Sequence, residues 1–371
     1  MKKLLKIITA AAGITLTAHV TPCEAQQVTP YNPNKIYYPE YQQSARTEFS
    51  FPKVGKYEVM ICDFHSHTMF SDGLVWPTYR VEEAWNDGLD ALAITDHIEY
   101  LPFKKYLNSD HNTSYEIAKP KADELGFILI KGSEITRKQA VLGHFNALFI
   151  KDANPIAVED PKASILEARK QGAFIIWNHP GWAVDSTYMK DFQKNLLDEK
   201  LFDGIEVFNS REYYPRVLSW AVDNNLTIIA ASDVHGTLDD KTISENGAHR
   251  PVTLVLAKER SAEGVKEALF AGRTLALFHN TIAAKESIAS DFVDACIKAK
   301  KLFENGKNAT LILTNSGDIR FTFKVGKSTY ILPAKSSITI SLPATSKRID
   351  ANFTNIFIYE NRTLAHSLQI Q

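Results

Sequence analysis

The sequence predicts an α/β protein in which seven strand–helix units close, or nearly close, into a barrel ahead of a small antiparallel β domain. Three observations lead there. Short apolar runs rich in Ile, Val, Leu and Phe alternate with helix-like stretches from residue 57 onward, the pattern of a parallel sheet buried on both faces. Gly88, Gly126 and Gly172 stand at or just after the helix ends, where a left-handed cap is wanted. Beyond Asn305-Gly306-Lys307-Asn308 the texture changes to short alternating runs, which suit antiparallel strands.

Taken in order, Lys2, Lys3 and Lys6 precede a mostly apolar stretch to Val20, and Cys23-Glu24-Ala25 supplies small residues ahead of Gln26. Residues 1–25 therefore read as a secretory signal peptide cleaved after Ala25, and the protein as exported to the periplasm or the extracellular space. Three Thr and His19 dilute the stretch below the roughly 20 apolar residues of a spanning helix, so no membrane span is expected in the mature chain. Lipidation at Cys23 is a minor alternative, since His19-Val20-Thr21-Pro22 matches a lipobox poorly.

Residues 26–56, rich in Tyr, Gln and Pro, form an irregular lead-in. The strands expected next are Tyr57–Phe64, Ala91–Thr95, Phe127–Lys131, Phe145–Ile150, Ala173–Asn178, Gly204–Phe208 and Thr227–Ala231. Helices are expected at Pro77–Gly88, Tyr115–Leu125, Pro161–Gln171 and Tyr214–Asn225. Val252–Ala257, a helix at Ala262–Ala271, Thr274–Phe278 and a helix near Lys285–Leu302 complete a barrel domain of residues 57–303. The β domain, 304–371, carries strands at Leu311–Thr314, Arg320–Val325, Ser337–Leu342 and Asn355–Tyr359.

Composition bounds the function. The 371 residues are 44% hydrophobic and 23% charged, enough to bury a sizeable core and unlike a disordered or disulfide-scaffold chain. Loss of the signal removes three lysines and one glutamate, taking the net charge from −1 to −3. Neither value gives an electrostatic reason to expect nucleic acid as partner. Cys62 and Cys296 remain; Cys62 sits in an apolar run and reads as an inert core thiol.

The chemistry gathers at strand ends. The first strand runs into Asp63-Phe64-His65-Ser66-His67, and the strand period of two sets both imidazoles on one face, a natural pair of metal ligands. Ser71-Asp72-Gly73 follows. Later strands end in Asp96-His97, Glu134, Asn178-His179-Pro180 and Asp233-Val234-His235, while Gly143-His144 precedes its strand. Any one of these histidines is more often a satisfied core or surface residue. Together they converge, because the C-terminal ends of barrel strands meet at one mouth.

In order and spacing these residues resemble the PHP (polymerase and histidinol phosphatase) superfamily over residues 57–240. Ser71–Pro77, Asp96–Tyr100 and Asn209–Pro215 are most similar to its secreted Sb-PDE-type phosphodiesterases. The resemblance implies a distorted (β/α)7 TIM-like barrel with two or three divalent metal ions (zinc, manganese or iron). It puts His65, His67, Glu134 and Asp233 on the first ion. Glu134 would bridge to a second, held with His144 and His179. Asp72, His97 and His235 would hold a third. The family often has His where Asp72 stands, and a carboxylate there leans that site toward harder ions. Asp63 and Asp96, beside ligands, are expected to orient imidazoles.

The function so implied is a metal-dependent phosphoesterase acting on a small-molecule phosphate ester, preferably a diester. Metal binding lowers the pKa of water toward roughly 7, so a hydroxide bridging two ions can attack phosphorus. Arg211 is the first candidate to clamp the phosphate; Arg137, His111 and Lys131 are further candidates. Tyr100, Trp76, Trp182 and Tyr213 are candidates to line an apolar pocket. A phosphomonoesterase, an amidohydrolase on the same metals and a non-catalytic binding module are the alternatives.

Overall fold

The computed structural model describes residues 46–136, 141–184, 187–238 and 250–371. The expected signal peptide and Arg137 lie outside them. Residues 44–371 form one compact unit.

The strands arrive in the expected order: β1 (Glu58–Asp63), β2 (Ala91–Ile94), β3 (Ile128–Ile135), β4 (His144–Leu148), β5 (Phe174–Asn178), β6 (Gly204–Asn209), a short β7 (Glu212–Tyr213) and β8 (Thr227–Ala231). Helices α1 (Pro77–Asn86), α2 (Thr113–Glu124), α3 (Pro161–Lys170), α4 (Asp191–Asp198) and α5 (Pro215–Asp223) lie between them. Three of these helices begin on a proline at the first position, where the missing N–H costs nothing. β1, β2 and β3 pair in parallel, as do β5, β6 and β8. The residues of β2, β4, β5, β6 and β8 are all buried, which is why their sequences read as continuous apolar runs.

Two expectations are corrected. β4 runs antiparallel to both β3 and β5. The eight residues between Ile135 and His144 are too few for the crossover that a parallel connection needs, so the two strands pair antiparallel. β3 itself continues to Ile135, which places Glu134 within a strand rather than after one.

The seven strands β1–β6 and β8 make a ring. It closes through a parallel bridge between Ser66 and Val234, just past the ends of β1 and β8. At the other end β9 (Val252–Ala257) wedges between them. It pairs antiparallel with β1, and Thr253 Oγ1 donates to Ala230 O at 2.8 Å while accepting from Ala230 N–H at 3.0 Å.

α6 (Ala262–Phe270) then leads to β10 (Thr274–Phe278) and β11 (Thr281–Ala284), and α7 (Glu286–Cys296) follows. The helix expected to reach Leu302 stops at Cys296. From there Ile297-Lys298-Ala299-Lys300 alternates apolar and polar, and β12 (Ile297–Glu304) forms instead. β12, β13 (Asn308–Asn315) and β16 (Ser337–Pro343) make a three-stranded antiparallel sheet. β14 (Phe321–Val325), β15 (Ser328–Leu332), β17 (Arg348–Tyr359) and β18 (Arg362–Gln369) join the main sheet through β11 and β17. Cys62 and Cys296 are free, buried thiols.

Candidate metal centre

The ring brings the strand ends to one rim. His65 and His67 leave β1 two residues apart, both fully buried, with their Nε2 atoms 3.1 Å from each other. Asp233 Oδ1 lies 3.2 Å from His65 Nε2 and 3.1 Å from His67 Nε2. Glu134 Oε2 is 3.5 Å from each of the same two nitrogens. Its other oxygen faces His144 Nδ1 at 3.3 Å and His179 Nε2 at 3.4 Å. The carboxylate thus stands between two nitrogen pairs. His144 reaches this rim from the start of its strand because β4 runs backward.

A third group lies beside the first two. Asp72 Oδ2 is 3.1 Å from His97 Nε2, and Asp72 Oδ1 is 3.2 Å from His235 Nε2 and 3.6 Å from His67 Nδ1. Gly73 makes this approach possible. A Cβ there would come 2.7 Å from the carbonyl carbon of His67 and from Thr68 N, so only glycine lets the Ser71–Leu74 turn fold onto β1.

The backbone is bent to the same end. His179 and Asp233 have φ of 27° and 53°, left-handed values that non-glycine residues rarely adopt. Each is held: His179 N–H donates to Glu206 Oε2 at 2.7 Å, and Asp233 N–H to His65 O at 2.9 Å.

Without cations the cluster is electrostatically lopsided. Burial opposes the charged forms of His65, His97, Glu134, Asp233 and Asp72, yet neighbouring charges win at each of them. Asp233, Glu206 and Glu134 raise the His65 pKa well above its usual value. His97 is pushed up to about 10 by Glu134 and Asp72 against its own desolvation. Glu134, Asp233 and Asp72 are held far below the ordinary carboxylate range by the histidines around them. His67, where desolvation dominates, is lowered.

The donor set suits divalent cations. Imidazole nitrogens and carboxylate oxygens fall into groups whose atoms lie within 4.8 Å of one another: His65, His67 and Glu134; His65, His179 and Asp233; Glu134, His144 and His179; and His67, Asp72, His97 and His235. Glu134 Oε2 is buried among imidazole nitrogens, 2.9 Å from His97 Nδ1 and 3.5 Å from the Nε2 atoms of His65 and His67, with no hydrogen bond of good geometry, a setting that suits a cation.

Around the cluster, some expectations are revised. Among the described residues, Asp96 hydrogen-bonds to no imidazole. It accepts from Thr68 N–H and Oγ1 at 2.7 Å and from Ser71 Oγ at 2.8 Å, fixing the turn that carries Asp72. Asp63 likewise clamps main chain and cation, accepting from Ser232 N–H at 3.1 Å and from Arg250 Nη1 at 3.2 Å. The carboxylate that orients an imidazole is Glu206, 2.8 Å from His65 Nδ1. The sequence signal for it is a lone charge within the apolar run Gly-Ile-Glu-Val-Phe.

Arg211 is exposed at the turn between β6 and β7. Trp182 is 48% exposed, its ring centred 5.4 Å from that of His179 and 5.9 Å from that of His144. Trp76 and Tyr100 are also exposed. Tyr213, by contrast, packs against Phe208 and Phe357. The Lys131 ammonium is taken up by Asn112 Oδ1 at 3.1 Å and Lys151 O at 3.2 Å. His111 is half-buried, tied through its main chain to Asn154 and absent from the four groups.

No family model matches the chain, and no curated protein does. Among solved structures, a two-domain protein from Bacteroides vulgatus containing a predicted PHP-like metal-dependent phosphoesterase is 39% identical. It aligns over 88% of this chain and 99% of its own, with a TM-score of 0.83. An amidohydrolase from Chromobacterium violaceum is 16% identical, over 47% of this chain and 87% of its own, at a TM-score of 0.37. Endonuclease Q from Pyrococcus furiosus, a lesion-specific endonuclease, is 14% identical, over 62% of this chain and 59% of its own, at 0.42. The last two align too loosely to bear on this chain. The first does bear on it, over nearly the whole of both proteins: the chain belongs to the PHP-like metal-dependent phosphoesterases, hydrolases of phosphoric esters.

Proposed function

We propose that the protein is a phosphodiesterase whose rim holds up to three divalent ions. His65, His67, Glu134 and Asp233 would hold the first, Glu134, His144 and His179 the second, and Asp72, His97 and His235 the third. Bound ions supply positive charge to phosphoryl oxygens and acidify water near neutral pH. The residues of the chain do the rest. Glu134, facing both nitrogen pairs, would serve the first and second ions alike. Glu206 holds His65 Nδ1 so that Nε2 faces the cluster. Arg211 would offer two parallel N–H donors to the phosphate oxygens, and Trp182, Trp76 and Tyr100 would flank its substituents.

One observation carries the preference for diesters. Among the described residues no lysine or arginine pairs with Asp72, Glu134 or Asp233, and the side chain standing over His144 and His179 is an indole. A monoester dianion calls for more cations at its terminal oxygens than the single candidate, Arg211, would supply. A diester carries one charge and needs room for a second, uncharged substituent, which an aromatic flank accommodates. The test is hydrolysis of bis-p-nitrophenyl phosphate, p-nitrophenyl phosphate and a cyclic amide by protein loaded with zinc, manganese or iron. The diester is expected to give the highest kcat/KM. Faster monoester turnover would reassign the substrate, and amide turnover without ester turnover would reassign the reaction.

A further inference from the structure

One buried charge beside the rim belongs to a residue outside the cluster. Arg80, on α1, is fully buried. A guanidinium there is costly unless its donors are met, and where they are met is informative. Nε donates to His67 O at 3.2 Å. Nη2 donates to His235 O at 3.3 Å and Gly236 O at 2.7 Å. Nη1 is paired with Glu83, whose other oxygen accepts from Leu238 N–H at 2.6 Å.

Arg80 therefore ties the chain just past β1 to the chain just past β8. His67 has other restraints: its N–H donates to Val234 O at 3.0 Å, and its imidazole is buried among His65, Glu134 and Asp233. The His235 side chain is 38% exposed. Its imidazole is set by Asp233 O, 2.8 Å from Nδ1, and stacks on His67 at 4.2 Å, while its carbonyl is held by Arg80 and by Leu74 N–H at 2.7 Å. Leu74 belongs to the turn that carries Asp72. One planar fork thus fixes the main chain of His235 relative to β1 and, through the carbonyl that Leu74 N–H shares, braces the far end of the Asp72 turn, whose near end Asp96 holds.

We infer that Arg80 is the positioning residue of the third metal subsite. Its loss should empty that subsite while the two around Glu134 stay filled. This rests on the metal assignment proposed above. It makes no claim that Arg80 touches metal or substrate.

The test is metal stoichiometry and affinity of the full-length protein, read by elemental analysis and by competition with a chromophoric chelator. Arg80→Met, Arg80→Lys and Asp72→Ala are compared with wild type, with near-UV circular dichroism as the check on folding. Asp72→Ala sets the pattern for direct loss of a third-subsite ligand: two equivalents instead of three. Arg80→Met is expected to reproduce that count. Arg80→Lys, which keeps the charge and loses the fork, should retain the third ion about tenfold or more weakly. Three equivalents at unchanged affinity in Arg80→Met would overturn the inference. So would loss of all ions together with the fold in both Arg80 variants, since Arg80 would then hold the rim as a whole. Failure of the assignment beneath it looks different: wild type would bind fewer than three equivalents, or Asp72→Ala would bind as many as wild type.

Discussion

At the scale of single residues, the difference between ligand and support is decided by one hydrogen bond. His65 has two ring nitrogens, and Glu206 takes Nδ1, so Nε2 is the nitrogen presented to Asp233 and Glu134. The same carboxylate accepts from His179 N–H and from Asn209 Nδ2 at 2.8 Å, so it positions two candidate ligands at once. Glu206→Gln keeps an acceptor for the ring and removes the charge; metal affinity should fall about tenfold. Glu206→Ala strands two buried donors as well, and the fall should approach about 100-fold. Chelator competition at fixed pH measures both, and equal affinity in wild type and alanine variant would show that His65 needs no orienting partner. The nine candidate ligands could be read from sequence because each is a chemically loud residue at or near a strand end or in the turn that follows it. Glu206 and Arg80 were harder to read, because a charge inside an apolar pattern first looks like noise in that pattern.

At the scale of elements, the legible and the illegible divide along range of interaction. Strands β1, β2, β5, β6 and β8 are buried on both faces, so their periodicity is local and strong. The reversal of β4 depends on the length of one connection, and the stop of α7 at Cys296 on a switch from helical to alternating pattern within one continuous stretch. α4 and β7 are short, β15 and β18 return directly on β14 and β17 with half-exposed faces and no clear local pattern, and β11 leans in addition on β17, far away in sequence. Ring closure is of this long-range kind. Between β8 and β9 it runs through a side chain, the Thr253 hydroxyl bonded to both main-chain polar groups of Ala230. Thr253→Val keeps the shape and deletes both bonds, leaving a buried N–H without its acceptor. It should cost about 1–3 kcal/mol of stability, measured by urea denaturation of the metal-free protein. A variant as stable as wild type would mean that packing alone closes the ring at this end.

For the whole molecule, the cluster couples stability to pH with opposite signs in the metal-free and metal-loaded states. His65, His97, His179 and His235 are all raised in the folded, metal-free protein: burial works against their charge, and the surrounding carboxylates outweigh it. A raised histidine contributes its full stabilisation below the unfolded value of about 6.5. That contribution is lost as pH rises through the folded pKa, for His97 about 10. Asp72, Glu134 and Asp233 are depressed, with His neighbours overcoming their desolvation. Their contribution is present above the unfolded carboxylate range of about 4 and fades as pH falls through the folded values. The metal-free protein should therefore draw most on this cluster between about pH 4 and 6.5. Metal binding demands neutral imidazoles, so each ion must displace protons that the folded site holds tightly, and uptake strengthens as pH rises. The difference in Tm between loaded and chelator-stripped protein should accordingly widen from pH 5 to pH 8, with proton release on loading visible in weakly buffered solution. A difference that stays constant or shrinks over that range would show that the histidines are already neutral in the stripped protein, and that the carboxylates around them do not set their charge.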